Sequence, residues 1–345
     1  MCLNPGGAFH VPYCGRVQAV LPGSPPTKLN PTIWFVGLTT LDVIHRGVAP
    51  QHRNQKVTAT WQGVSAGGPA ANAAVVAAAL GAHAVLFTAL GSSPAAAIAR
   101  ADLEAHGVTV VDLADAAFQL AVSAILVDEA TSERSVVSLD GGAHPVPMPQ
   151  SLQLPEPKPV ALLLDGHHPN LAHYVANQLS NEVKIVLDGG RWKPIFAELI
   201  PMSDVAALSS EFHIPSGDSA LPDGPQNDEV FGVAGAAGEK AEVIDGALAL
   251  GADGVVDAAL ALGAKAVVVT RGAEPVEWND GQLEGRIIVP PVHAKDTLGA
   301  GDAFHGALTY YLAAGQDLPT AIGQANQVAA TKVQHLGNRD WLQFI

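Results

Sequence analysis

Asp296-Thr297-Leu298-Gly299-Ala300-Gly301-Asp302-Ala303-Phe304-His305-Gly306-Ala307-Leu308 brings three physical features together. Gly299 and Gly301 leave the backbone bare, so N–H groups there can approach a ligand closely. Ala303, Phe304, Ala307, Leu308, Tyr311 and Leu312 recur at helical spacing, which predicts a helix opening at the glycines. A helix N-terminus with free N–H groups suits an anion. Into that anion site the sequence places a carboxylate, Asp302. One use for such an acid is to take a proton from a hydroxyl as it attacks phosphorus; the plain alternative is a Gly-rich helix start with a capping Asp.

The rest of the chain is compatible with a large enzyme domain. Its 345 residues are 48% hydrophobic, enough for one extensive core, with or without a small appendage. The formal net charge is -15 and no Lys/Arg run occurs, so nucleic acid and anionic membranes are poor partners. Cys2 and Cys14 are the only cysteines and have no CxxC spacing, which argues against a disulfide framework and fits a reducing cytoplasm. Residues 1–31 have no apolar core of the kind a secretory signal carries, and their Pro and Gly content predicts an extended or disordered lead-in. The apolar run Ala73–Leu90 is long enough for a membrane span, but Gly81 and His83 divide it into a buried helix and a buried strand.

Thr32–Gly37 reads as a buried first strand with Asp42 near its C-terminal end, and Lys56–Trp61 alternates like a half-exposed strand. Pro69 opens a helix that ends near Leu80. Residues 121–127 and 134–139 read as paired strands. Strands and helices then alternate, which predicts a parallel sheet covered on both faces. Residues 215–242 lack a clean period and read as a surface insertion. Helices follow at about 252–262 and 318–335, with short antiparallel strands within 274–289.

No GxGxxG follows the first strand, and no Walker A sequence is present. Gly63-Val64-Ser65-Ala66-Gly67 is a literal GxSxG, which leaves a serine hydrolase open with Ser65 as nucleophile. His167, His168 and His173 lack a complementary acid or cysteine set and read as loop or pocket lining rather than a metal site.

The chain resembles the ribokinase-like (PfkB) carbohydrate kinases. Asp296–Asp302 is similar to their D-T-x-G-A-G-D signature, and Gly67-Gly68-Pro69-Ala70-Ala71-Asn72 to their G-G-x-x-x-N signature. The resemblance runs from about Thr32 onward, outside the 215–242 insertion, and implies a three-layer α/β/α sandwich with a mostly parallel sheet. It also implies a small β lid from about 43–64 and 118–139. The implied reaction is transfer of the γ-phosphoryl group of ATP to a sugar hydroxyl, with Mg²⁺ on the phosphates. Asp302 would be the general base, and Gly299, Ala300 and Gly301 the anion hole. Asp42, Gly67, Gly68, Asn72 and Arg134 would hold the sugar. Thr270, Gly272, Thr297 and Asn326 would hold the nucleotide.

Glu211 falls where the family places a glutamate that organises Mg²⁺ through water. Leu208 stands where the accompanying asparagine belongs, with Ser209 or Ser210 as possible substitutes. Ser210-Glu211-Phe212 and Leu187–Trp192 resemble the ketohexokinase and sulfofructose-kinase branch. A nucleoside kinase of the same fold and a non-catalytic sugar-binding regulator remain open. Lid residues such as Val57 and Trp61 suggest a homodimer formed through the lid.

Overall fold

The five residues of strand β1 (Thr32–Val36) are all buried, because parallel neighbours flank them on both sides and helices cover both faces. The computed structural model describes residues 30–50, 52, 54–115, 117–141, 146, 152–179, 182–215 and 252–345. The expected lead-in and the 215–242 insertion lie outside them, except for residues 30, 31 and 215.

After β1 come β2 (Thr40–Gly47), β3 (Trp61–Gly67), α1 (Pro69–Leu80), β4 (His83–Thr88), α2 (Pro94–Ala105) and β5 (Val108–Asp112). The chain continues through β6 (Val122–Asp128), β7 (Arg134–Val137), β8 (Ala161–Leu164), α3 (Pro169–Gln178), β9 (Lys184–Gly189), α4 (Phe196–Leu199) and β10 (Val205–Ser209). It ends with α5 (Ala252–Ala261), β11 (Val267–Thr270), β12 (Val276–Asn279), β13 (Glu284–Ile287), α6 (Ala300–Ala313), α7 (Leu318–Val333) and a 3₁₀ turn at Asp340–Phe344.

The main sheet has the order β13-β12-β11-β10-β9-β8-β1-β4-β5, parallel except for β12 and β13. Alternation along β1 divides the core. Ile33 and Phe35 face the layer of α1, α6 and α7, while Trp34 and Val36 face α3, α4 and α5. This is the expected three-layer α/β/α sandwich. The Ala73–Leu90 run is α1 followed by β4. No helix among the described residues is long and apolar enough to cross a membrane.

A second sheet has the order β3-β2-β6-β7. Two expectations need correcting here. Asp42 does not belong to the first strand, because the chain leaves the main sheet after Val36 and Asp42 is the third residue of β2. Residues 56–60 are not a strand, because β2 ends at Gly47. The Arg46↔Trp61 pair is the last rung of that ladder; Thr60 N still donates to Arg46 O at 2.8 Å, but residues 56–60 lie beyond the paired register.

The inner face of this lid carries Ile44, Ile125 and Val127, against which Trp61 and Leu298 pack. Trp61 therefore closes the lid onto the body rather than exposing it. The outer face also carries an apolar row: Val43 pairs with Val64 and Ala124, and Ala124 pairs with Val137. Val64 and Val137 are 52% and 74% exposed.

Candidate active site

Helices α1 and α6 cross at two small residues. A Cβ on Gly306 would stand 2.4 Å from the carbonyl oxygen of Ala73, so only glycine permits this approach. The crossing sets Asn72 beside Asp302, and Asn72 Nδ2 donates to Asp302 Oδ2 at 2.7 Å. Just before α6, Gly299 adopts φ 72, a left-handed conformation that favours glycine. A Cβ on Gly301 would meet only open space. Among the described residues neither the Gly299 nor the Gly301 N–H has a backbone acceptor, whereas Ala300 N–H donates to Thr297 O at 3.2 Å. Two of the three expected anion-hole donors are therefore free.

Burial, with the Asp188 carboxylate nearby, pushes the Asp302 pKa up to about 6, against the Asn72 hydrogen bond and the charge of His305. His305 lies one turn further along α6, with Nδ1 3.0 Å from Asp188 Oδ2. Burial is the largest single influence and disfavours the imidazolium, but the charge and hydrogen bond of Asp188, with the charge of Asp302, together raise the His305 pKa above its ordinary value.

Asp42 is buried, and its Oδ1 accepts from Thr40 Oγ1 at 2.7 Å. Desolvation raises its pKa, opposed by Thr40, Ser123 and the charge of Arg339. The two signature glycines serve different needs. A Cβ on Gly67 would stand 2.1 Å from the Asp42 carboxylate, so a bare backbone makes room for that side chain. Gly68 has φ 96 and lies under Leu38 O, 2.3 Å from where a Cβ would be. Asp165, at the end of β8, locks this corner. Its Oδ2 accepts from Leu38 N at 2.9 Å and from Ala70 N in the first turn of α1 at 3.2 Å. Burial works against that charge, yet the His167 ring and Lys193 hold the carboxyl well below its usual range.

The other predicted residues are more scattered. Arg134 is exposed on β7 and lines, with Glu133, His293 and Thr297, a cleft of about 760 Å³. Thr270 ends β11, and Gly272 follows at φ 60 with open space above it. Asn326 is 3% exposed in α7, with Nδ2 3.5 Å from Ile288 O. Glu211 is exposed just beyond β10. Leu208 is a fully buried core residue, so the family's asparagine position has gone to packing. Ser209 Oγ donates to Gly190 O at 2.7 Å.

Ser65 does not fit the hydrolase reading. It is buried within β3, opposite Asp42, rather than on a strand-to-helix turn, and its Oγ accepts from Asn338 Nδ2 at 3.2 Å. Among the described residues no group of three His, Cys, Asp or Glu side chains could hold a metal ion by itself.

Several residues of the site had no role in the sequence reading. His305 was signalled by its position three residues after Asp302, which puts it on the same helix face. Asp188, Arg339 and Lys332 carry no local signal. Lys332 is 1% exposed, with Nζ 3.4 Å from both the backbone oxygen and Oδ2 of Asp296. Asp296 in turn accepts from Leu298 N at 2.9 Å and from Gly337 N at 3.0 Å.

Comparison with known proteins identifies the family. The pfkB family carbohydrate kinase model matches residues 30–161 and 240–343, and the chain belongs to that family. Ribokinase of Bacillus subtilis (strain 168) is 38% identical over 69 residues, 20% of this chain and 24% of its own length. The match thus spans about a quarter of that relative. Arabidopsis thaliana ribokinase, solved with ribose and ATP, superposes with a TM-score of 0.66 at 19% identity, covering 91% of this chain and 98% of the other. The nucleoside kinase of Methanocaldococcus jannaschii gives 0.63 at 15% identity, covering 93% and 100%. At these identities the superpositions speak for the fold.

Proposed function

We propose that the protein is an ATP-dependent sugar kinase in which Asp302 is the general base. The observation that carries this reading is the Asn72–Asp302 hydrogen bond at 2.7 Å, set beside the free Gly299 and Gly301 N–H groups at the start of α6. Asp302 takes the proton of the sugar hydroxyl as its oxygen attacks the γ-phosphorus of ATP. The bond to the bridging oxygen breaks and ADP leaves. The two N–H groups and the helix dipole stabilise charge on the transferring phosphoryl oxygens. A carboxylate titrating near 6 is ionised at neutral pH yet still basic enough to accept a proton.

Asp42 and Asn72 hold the sugar. A carboxylate accepts from neighbouring hydroxyls, and Asp42 retains acceptor capacity beyond its bond from Thr40. Arg134 reaches the substrate from the lid hairpin. Thr270, Gly272, Thr297 and Asn326 serve the nucleotide. The open backbone at Gly272 supports close approach there, whereas Asn326 acts from behind, by tying α7 to the segment after β13.

Glu211 fits a magnesium ion held through water. Its carboxylate is exposed beyond the C-terminal end of β10, and Mg²⁺ keeps most of its own waters and phosphate ligands. When bound, the ion neutralises phosphate charge. The apolar outer row of the lid supports a homodimer formed through it.

The test is ATP consumption across a panel of ketoses, pentoses and nucleosides, with Asp302→Asn alongside. Turnover with a sugar, lost in the variant while ATP and sugar still bind, supports the reading. Undiminished turnover in the variant sinks it. A preference for nucleosides would keep the chemistry and replace the substrate.

A further inference from the structure

An asparagine amide has two faces, one that donates and one that accepts, and its neighbours decide which points where. Asn72 must donate to Asp302 to be useful, and its own helix does not enforce this. The enforcing group comes from the far end of the chain. Arg339 Nη1 donates to Asn72 Oδ1 at 3.2 Å. A guanidinium has only donors, so it accepts nothing but the oxygen side of the amide. With that side fixed, Nδ2 faces the Asp302 carboxylate. We infer that Arg339 is a positioning residue for the catalytic base, acting through Asn72, which rests on the reading of Asp302 given above.

The guanidinium is itself over-determined. Its Nε and Nη2 donate to Asp102 Oδ2 at 3.1 and 2.9 Å. Nη2 also donates to Ala66 O at 2.8 Å, and Nη1 to Asn338 O at 3.1 Å. The same Asp102 oxygen accepts from Ala66 N at 2.9 Å. One planar group thus joins α2, the end of β3, α1 and the segment after α7. A structural clamp alone needs only Asp102 and Ala66. The additional bond to Asn72 Oδ1 is directed at the site.

Loss of Arg339 frees the amide to rotate. Asp302 then loses its donor, or meets an oxygen, and either change raises its affinity for a proton. The other charges around Asp302 are Asp188 on β9, His305 on α6, Asp42 on β2 and Lys332 on α7, whereas the Asn72 amide bonds to Asp302 and Arg339.

Two measurements test this on the full chain. The first is the acid limb of kcat/KM against pH for wild type, Arg339→Met and Asp102→Asn. The second is the pH titration of the Asn72 side-chain amide in ¹⁵N-asparagine-labelled protein, which needs no turnover. Arg339→Met is expected to move the acid limb upward by about half a pH unit or more and to lower kcat by about tenfold or more. It is also expected to abolish the Asn72 amide's titration near the Asp302 value. Asp102→Asn loosens the guanidinium without touching Asn72 and shifts the limb the same way by less. It carries the test if Arg339→Met does not fold.

An unmoved acid limb and an unchanged Asn72 titration overturn the inference, whatever happens to the melting temperature. If wild type turns over no sugar, the kinase reading fails instead, and the amide titration still decides whether Arg339 orients Asn72 toward Asp302.

Discussion

The carbonyl oxygen of Ala73 and the α-carbon of Gly306 meet where α1 crosses α6, with no room for a methyl group between them. Gly306→Ala would put a Cβ 2.4 Å from that backbone oxygen, and neither helix backbone can yield cheaply. Overpacking of this kind costs about 1–3 kcal/mol. The helices must separate, carrying Asp302 away from Asn72. A lower melting temperature together with a fall in kcat is expected. Wild-type kcat in a destabilised variant would show that the crossing does not set the catalytic pair.

Activity should fall with acidity. As the proposed general base, Asp302 must be ionised to accept a proton, so kcat/KM should drop about tenfold per pH unit below about 6. A pH–rate profile flat down to about pH 4.5 would contradict this.

The same shift has a stability consequence of opposite sense. The folded pKa of Asp302 lies above its ordinary value, so the folded state binds the proton more tightly than the unfolded chain. The resulting stabilisation is fully present below about pH 4 and is lost as pH rises through about 6. Asp302→Asn, which carries no charge, should therefore melt higher than wild type at pH 8 while losing about 10²–10⁴-fold in kcat. Melting curves for both proteins at pH 4.5 and pH 8 provide the comparison, and a variant less stable at pH 8 would refute the argument.

Lys332 is buried against Asp296, and burial pulls its pKa down while Asp296 opposes that fall. Lys332→Met leaves the Asp296 carboxylate without its cation, and breaking such a pair costs about 3–5 kcal/mol. Chemical denaturation should show a loss of that order, partly recovered by adding Asp296→Asn. No recovery in the double variant would mean that the lysine acts through packing alone.

Val64 and Val137 expose apolar surface on the outer face of the lid. Glutamate at both positions should convert a proposed dimer to monomer in sedimentation velocity at micromolar concentration, with little change in the melting temperature. A wild-type protein that sediments as a monomer would remove the lid from consideration as an interface.

Much of this architecture was legible because its signals are local. Thr32–Val36 is an unbroken apolar run, Pro69 and Pro94 open helices, and the glycines at 299 and 301 mark the start of α6. The site was legible where two such signals each named a residue, as with Asp302 and Asn72. What stayed hidden depended on pairing across the chain. The register that makes Trp61, and not Lys56, the start of β3 is set by where β2 stops. The need for a bare Gly67 is set by a carboxylate on a neighbouring strand. GVSAG looked like a nucleophile turn because five residues cannot show whether the strand continues through them.

Gly337, Asn338 and Arg339 are consecutive, and they bond to Asp296, Ser65 and Asn72 across sequence separations of 41, 273 and 267 residues. One tripeptide therefore fastens both signature stretches and the lid strand that leads into the first of them. The contacts to Ser65 and Asn72 close very long loops, and long loops carry a larger entropic cost of ordering. During refolding the helices and the sheet can form before this seam closes, so recovery of turnover should lag behind recovery of secondary structure.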